Sequence, residues 1–177
     1  MEIVNIVATG ELNFDELDIE QLHHDLGTDI CQLKPGQLDL RFDSETPLIM
    51  VYPAGSYTIP GATSFDQLYR VREKFTDYLS EVSNGALSEH SFSVKYMVFM
   101  SDFESHIDLQ TLAVELGLEN VEYEPEQFPG LIYRTEGSNG VILIFSSGKV
   151  LFTGFENESD AKEEESQLLV KSKTLES

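Results

Sequence analysis

Few side chains in this sequence have both the types and the spacing that chemistry requires. Glu20 and His23 form a Glu-x-x-His pair, half of what holds a dinuclear metal between facing helices. The matching stretch ninety residues on has Gln110 and Ala113 there instead, so a surface helix is the simpler reading. His23 and His24 are neighbours that point apart, and His90 and His106 have no ligand partners at metal-site spacing. Ser147-Gly148-Lys149 leads into an apolar strand rather than a helix, which a phosphate loop would need. Cys31 sits in an apolar and acidic setting that raises a thiol pKa rather than activating it. Glu163, Glu164 and Glu165 read as a solvated helix face. No enzyme, metal site or cofactor is expected.

The informative stretch runs from Tyr123 to Thr153. Three short apolar runs, 128–134, 141–145 and 149–153, are separated by Pro129-Gly130, Gly137 with Asn139-Gly140, and Ser147-Gly148. That pattern predicts an antiparallel meander. Both faces of its strands are largely apolar, which a meander with one wet face should not show. Helices can cover one face. The other, carrying Phe128, Leu143, Phe145, Leu151 and Thr153, needs a partner.

The chain has 177 residues, 41% of them hydrophobic, enough to bury a core. One cysteine excludes an internal disulfide framework and fits a reducing compartment. No apolar run approaches the ~18 residues of a membrane span, and the N-terminus lacks a signal-peptide pattern. A soluble cytoplasmic protein is expected. The net charge of −21 argues, on charge alone, against a nucleic-acid ligand, whose usual footprint is a basic patch. It equally fits a high-salt cytoplasm, where acidic surfaces are general and say little about partners.

Internal repetition sets the architecture. A shift of 90 superposes Val4 on Val94, Asp18 on Asp108, Leu22 on Leu112, Leu26-Gly27 on Leu116-Gly117, Pro35 on Pro125 and Gln37 on Gln127. A shift of 93 then superposes Arg41 on Arg134, 48–52 on 141–145, Gly55 on Gly148 and Gly61 on Gly154. The three missing residues fall beside Leu38, opposite Phe128. Two tandem copies, 1–89 and 90–177, are expected, each ordered strand, helix, three-strand meander, helix. Strands are placed at 2–9 and 92–100, helices at 15–26, 105–116, from Ser64 to Val82, and at 157–175, with 84–91 as the joint. Ser64 with Gln67 has the spacing of a capping box, and Lys171 and Lys173 suit a helix C-terminus. The fold class is α+β: one antiparallel sheet with helices on one face and the other face bare.

Three blocks carry a family resemblance: Val4-Asn5-Ile6-Val7-Ala8-Thr9, Tyr123 through Arg134, and Leu143 through Lys149 with Thr153-Gly154. Over essentially the whole chain the sequence resembles the TATA-box-binding proteins, particularly archaeal ones. The resemblance implies a saddle whose concave sheet binds and bends AT-rich promoter DNA in the minor groove, and which recruits transcription factor B. It implies that Phe128 and Phe145 are wedges, and that Asn5 meets base edges with Val7 beside it. Leu143, Leu151 and Thr153 would pack in the groove, and Arg134 and Lys149 would meet phosphates. Glu124, Glu126 and Gln127 would form the surface that meets transcription factor B. The bare face would also allow a homodimer of the free protein, and on DNA the protein would be nucleoid-associated.

The first copy departs from the family. Leu38 and Tyr52 stand at its wedge positions, Ser56 stands opposite Lys149, and Pro60 replaces the threonine matched by Thr153. Pro53 follows Tyr52. Lys95 replaces the second central asparagine and Met97 the valine near it, while Phe155-Glu156 replaces Ala-Lys. Prolines at 53 and 60 predict edge or irregular strands there. The alternative reading is therefore a divergent paralogue with weakened DNA binding that acts as a protein-interaction or regulatory module.

Overall fold

The computed structural model describes residues 1–135, 137, 139–155 and 157–174, with side chains as far as 172. Glu156, position 175 of the expected last helix and the side chain of Lys173 lie outside these. In chain order the elements are β1 (Glu2–Leu12), α1 (Ile19–Leu26), β2 (Cys31–Lys34), β3 (Gln37–Leu40), β4 (Ile49–Val51), β5 (Ser56–Ala62) and α2 (Phe65–Val82). They continue with β6 (Glu89–Asp102), α3 (Leu109–Leu116), β7 (Val121–Glu122), β8 (Gly130–Arg134), β9 (Val141–Phe145), β10 (Lys149–Phe155) and α4 (Glu158–Thr174). Two compact units result. The first is Asn5–Lys95, and the second is Met1–Val4 with Tyr96–Ser177.

Each unit holds an antiparallel arrangement, β2-β3-β4-β5-β1 in the first and β6-β10-β9-β8-β7 in the second. The meander therefore has four strands in each unit, not three. β2 and β7 were missed because Cys31–Lys34 and Val121–Glu122 are short and mostly polar. The joint is shorter than 84–91, since β6 begins at Glu89. Both short helices start later than the periodicity suggests. Asp18 caps α1 by accepting from the Glu20 and Gln21 N–H groups at 3.1 and 2.9 Å, and Asp108 caps α3 in the same way. At α2, Ser64 accepts from Gln67 N–H at 3.2 Å, while the Gln67 side chain reaches back to Thr63 N–H at 2.8 Å.

Within each unit the helices pack on one face of the strands. In the first, Ile6, Ala8, Leu38, Leu40, Ile49, Val51, Tyr57 and Ile59 are buried with Leu68, Val71, Phe75 and Leu79 of α2. The Tyr57 and Phe75 rings meet edge-on at 4.9 Å, which fixes β5's inner face against α2. In the second, Met97, Phe99, Leu131, Ile142, Ile144, Val150 and Phe152 are the buried strand residues. Ser101 donates to Glu165 of α4 from the same side.

Pro60 lies not on an edge but in an irregular stretch, the second of the two settings expected for it. β5 runs between β4 and β1, and its pairing with β1 slips between Ile6–Ala62 and Ala8–Ile59. Pro60 and Gly61 thus lie opposite Val7 in a bulge, where a missing N–H removes no regular ladder bond. The second unit has the same slip, between Phe155–Met97 and Phe152–Phe99, with Thr153 and Gly154 in the bulge. Gly61 and Gly154 take φ of 90° and 80° there.

One polar cluster is built into the first unit's core. The fully buried Tyr57 donates to the Glu89 carboxylate, and Arg72 pairs with the same group, its Nε 3.0 Å from Glu89 Oε2. The Arg72 guanidinium also lies 4.2 Å from the Phe92 ring centre. Burial alone would raise the Glu89 carboxyl. The Arg72 and Tyr57 hydrogen bonds, with the Arg72 charge, outweigh it and hold the group below its ordinary 4.5. A depressed folded-state pKa stabilises the fold at neutral pH, and that contribution disappears as pH falls through the folded value. Glu89→Gln should cost about 2 kcal/mol at pH 7, the scale of a charged buried hydrogen bond. The gap to the parent should close in acid; urea denaturation as a function of pH reads both.

Candidate nucleic-acid interface

The face of the second unit opposite its helices is assembled by register. β10 pairs Leu151 with Leu143 of β9 and with Met100 of β6, and Thr153 with Val141. β9 pairs Leu143 with Ile132 of β8. Directly paired side chains share a face. One surface therefore carries Leu143, Leu151, Thr153, Val141, Ile132 and Met100, all half-buried and none covered by the unit's helices. Phe145 extends this row, and Phe128 leans against it, the two rings meeting edge-on at 5.8 Å. Gly130 is what lets them meet. A Cβ there would stand 2.8 Å from the Phe128 ring, 3.1 Å from the Phe145 ring and 3.1 Å from the Ile144 carbonyl oxygen.

In the first unit Asn5, Val7 and Thr9 of β1 share the helix-free face with Thr58 and Pro60 of β5 and Met50 and Tyr52 at β4. The Asn5 carbonyl oxygen accepts from Gly61 N–H at 2.8 Å, which fixes the amide and leaves its NH2 for an outside acceptor. Tyr52 occupies the turn position of Phe145: Gly55 N–H reaches the Tyr52 carbonyl at 3.0 Å, and Gly148 N–H reaches that of Phe145 at 3.0 Å. The Tyr52 hydroxyl points to Met50 Sδ at 3.8 Å.

Three expected contact residues must be corrected. Leu38 is wholly buried on the helix side, paired with Val51, and its counterpart through β4 and β9 is Leu131 rather than Phe128. From Gln32 to Asp39 the first unit has residues 33–38 where the second has 123–131 between Glu122 and Ile132. The loop that presents Phe128 is what the first unit lacks; a tight turn at Pro35-Gly36 replaces it. Met97 is 3% exposed on the helix side, because the bulge partners make it the counterpart of Ile6, 91 positions away rather than 90. The same one-residue slip removes Lys95 from Asn5's place and puts Tyr96 there, with Val98 matching Val7. Tyr96, Val98 and Met100 were thus overlooked on this face, which Ile132 and Val141 also line. Both alternating sets in 96–101 are apolar, so periodicity could not choose between them; superposing Glu11 on Asp102 would have.

Charge is unevenly spread over these faces. Asp39, 7% exposed, lies opposite Met50 at the register of Ile132, with Lys34 paired to it and Gln37 donating to it at 2.6 Å. Arg134 is held by Glu122 at 3.0 Å, both side chains 60% exposed. Lys149 and Lys95 are exposed and make no ion pair among the described residues. Glu124, Glu126 and Gln127 form an exposed turn in which the N–H groups of Gln127 and Phe128 both reach the Glu124 carbonyl at 2.9 Å. Cys31 is buried, its thiol donating to the Gly27 carbonyl at 2.9 Å, and burial pushes its pKa up. Among the described residues no three His, Cys, Asp or Glu side chains are placed to hold a metal.

Fold and surface together define a tandem-repeat α+β protein with an apolar, helix-free strand face edged by aromatic rings. Residues 1–82 and 91–170 match the family model for transcription factor TFIID, or TATA-binding protein (TBP). The chain is 39% identical over 168 residues to TATA-box-binding protein C of Halobacterium salinarum, covering 92% of this chain and 91% of that one. It is 36% identical over 163 residues to TATA-box-binding protein 2 of Haloferax volcanii, covering 92% and 87%. The solved structure of Methanococcus jannaschii TBP matches with a TM-score of 0.79 at 28% identity, covering 98% of each chain. This chain belongs to the TATA-binding-protein family of transcription factors, and its α+β fold is of that type.

The packing at Gly130 is open to a direct check. Gly130→Ala should destabilise the protein by about 1–3 kcal/mol through overpacking against Phe128, Phe145 and the Ile144 carbonyl. Thermal unfolding of the variant beside the parent measures it.

Proposed function

We propose that this chain, read as tandem repeats 1–89 and 90–177, is a general transcription initiation factor that binds AT-rich promoter DNA in the minor groove. It bends the duplex there and recruits transcription factor B. The observation that carries the reading is the second unit's helix-free face, an apolar strand surface ending in the edge-packed Phe128 and Phe145. Minor-groove proteins, this family among them, insert such apolar wedges between base steps. An A·T pair offers only acceptors in that groove, and the fixed Asn5 amide offers a donor. Leu143, Leu151 and Thr153 supply groove-packing surface, with Val7, only 8% exposed, beside Asn5, and Lys149 with Arg134 reaches phosphates once Glu122 is exchanged for one. The acidic turn Glu124, Glu126, Gln127 suits a basic partner surface. The acidic composition and two relatives from halophiles support a reading in which this interaction works at high salt.

Gel-shift titration of an AT-rich duplex at molar KCl tests the reading. Phe145→Ala, with the fold intact by circular dichroism, should lose roughly tenfold or more in affinity, the scale of one lost base-aromatic stack. With two or three phosphates neutralised, log K should fall against log salt with a slope no steeper than about −3. Glu124→Lys with Glu126→Lys should leave the binary DNA complex intact and weaken the ternary complex with transcription factor B. A parent protein that shifts no duplex under these conditions would favour the paralogue reading, for which the buried Asp39 on the first unit's face speaks.

A further inference from the structure

We propose that only the second unit wedges, so that the bound duplex is unstacked at one base step and not two. This inference rests on the minor-groove reading above and concerns how the two units divide the work. In the second unit an inserting ring is built as a pair: Phe145 projects from the end of β9, and Phe128 backs it edge-on at 5.8 Å from a loop of its own. The first unit lacks the backing half of that device. Its β2–β3 hairpin closes at Pro35-Gly36 without the residues that form the Phe128 loop, and the nearby Leu38 is wholly buried against Val51 and the helices.

What remains at the first unit's wedge position is Tyr52, unsupported by a second ring. Its hydroxyl is directed at Met50 Sδ, 3.8 Å away. Sliding that ring between base faces would leave the hydroxyl without water or a partner, a cost that phenylalanine does not carry. Beside it the face turns polar. Asp39 stands where the second unit has Ile132, charge-paired with Lys34 and hydrogen-bonded by Gln37 at 2.6 Å. An apolar groove floor packs against Ile132 without loss; here it would meet the Lys34 ammonium and the Gln37 amide that cover the buried Asp39, and would have to strip water from the half-exposed Lys34. The first unit therefore lies along its half of the site without inserting into it, the Asn5 amide on base edges and the polar Thr9, Thr58 and Gln37 beside it.

Permanganate oxidises thymines whose faces are unstacked, so it reports each kinked step separately. The full chain is bound at molar KCl to an asymmetric AT-rich duplex, and both strands are mapped. One hyperreactive step is expected. It should vanish in Phe145→Ala, while Tyr52→Ala keeps it and loses less affinity than Phe145→Ala does. Two hyperreactive steps, or a complex with none, would overturn the one-sided wedge while leaving DNA binding standing. Failure to bind the duplex at all would remove both readings together.

Discussion

A β-strand shows its side chains to two faces by turns, and in each unit a single bulge decides which residues each face receives. The extra residue opposite Val7 and Val98 sits in β5 and β10, and across it the parity of those strands reverses: Tyr57 and Ile59 are buried before it and Ala62 after, Val150 and Phe152 before it and Phe155 after. Without it, Gly154 rather than Phe155 would face the helices. The bulge needs Gly61 and Gly154 at positive φ, and at Gly154 a Cβ would stand 2.4 Å from the Asn139 carbonyl oxygen. The apolar surface of the second unit and the Asn5 amide of the first are both downstream of this backbone feature.

Much of this was legible in the sequence because duplication leaves landmarks at turns. Gly55 and Gly148, or Gly61 and Gly154, must recur where the backbone demands glycine, and they set the shift of 93 correctly. The errors came where the physics of a strand is silent. Tyr96 through Ser101 is apolar or small on both parities, so a shift of 90 and a shift of 91 read alike, and Lys95 and Met97 fell on the wrong side. Leu38 was misplaced for a related reason: an insertion in a hairpin can be drawn on either side of its turn, and only the pairing of Leu38 with Val51 shows where it belongs. Strand alternation put Phe128 and Phe145 on the helix-free face and the family resemblance made them wedges, whereas their edge-on contact and its dependence on Gly130 needed coordinates.

Electrostatics separates the two units further than their folds do. The first unit uses three of its cations internally: Lys34 neutralises Asp39, Arg72 completes the Tyr57–Glu89 cluster, and Lys74 lies 4.3 Å from the Phe42 ring centre, while Arg41 and Lys95 are exposed without an ion pair among the described residues. The second leaves Lys149 exposed and ties Arg134 only to an exposed Glu122, a pair whose net strength in water is small. At molar ionic strength, where charges are screened beyond about 3 Å, such a pair opens readily. An acidic chain can in this way keep a few usable cations without becoming a basic protein.

The hydrogen bond from Gly61 N–H to the Asn5 carbonyl oxygen also makes that side chain directional. Because the oxygen is engaged by the Gly61 N–H, the amide is held one way round, and Asn5 turns its NH2 outward. A guanine brought to this position would set its exocyclic amino group against another amino group, two donors with nothing between them to accept. Discrimination against G·C pairs would then come from the backbone of a neighbouring strand, without any residue dedicated to repelling them.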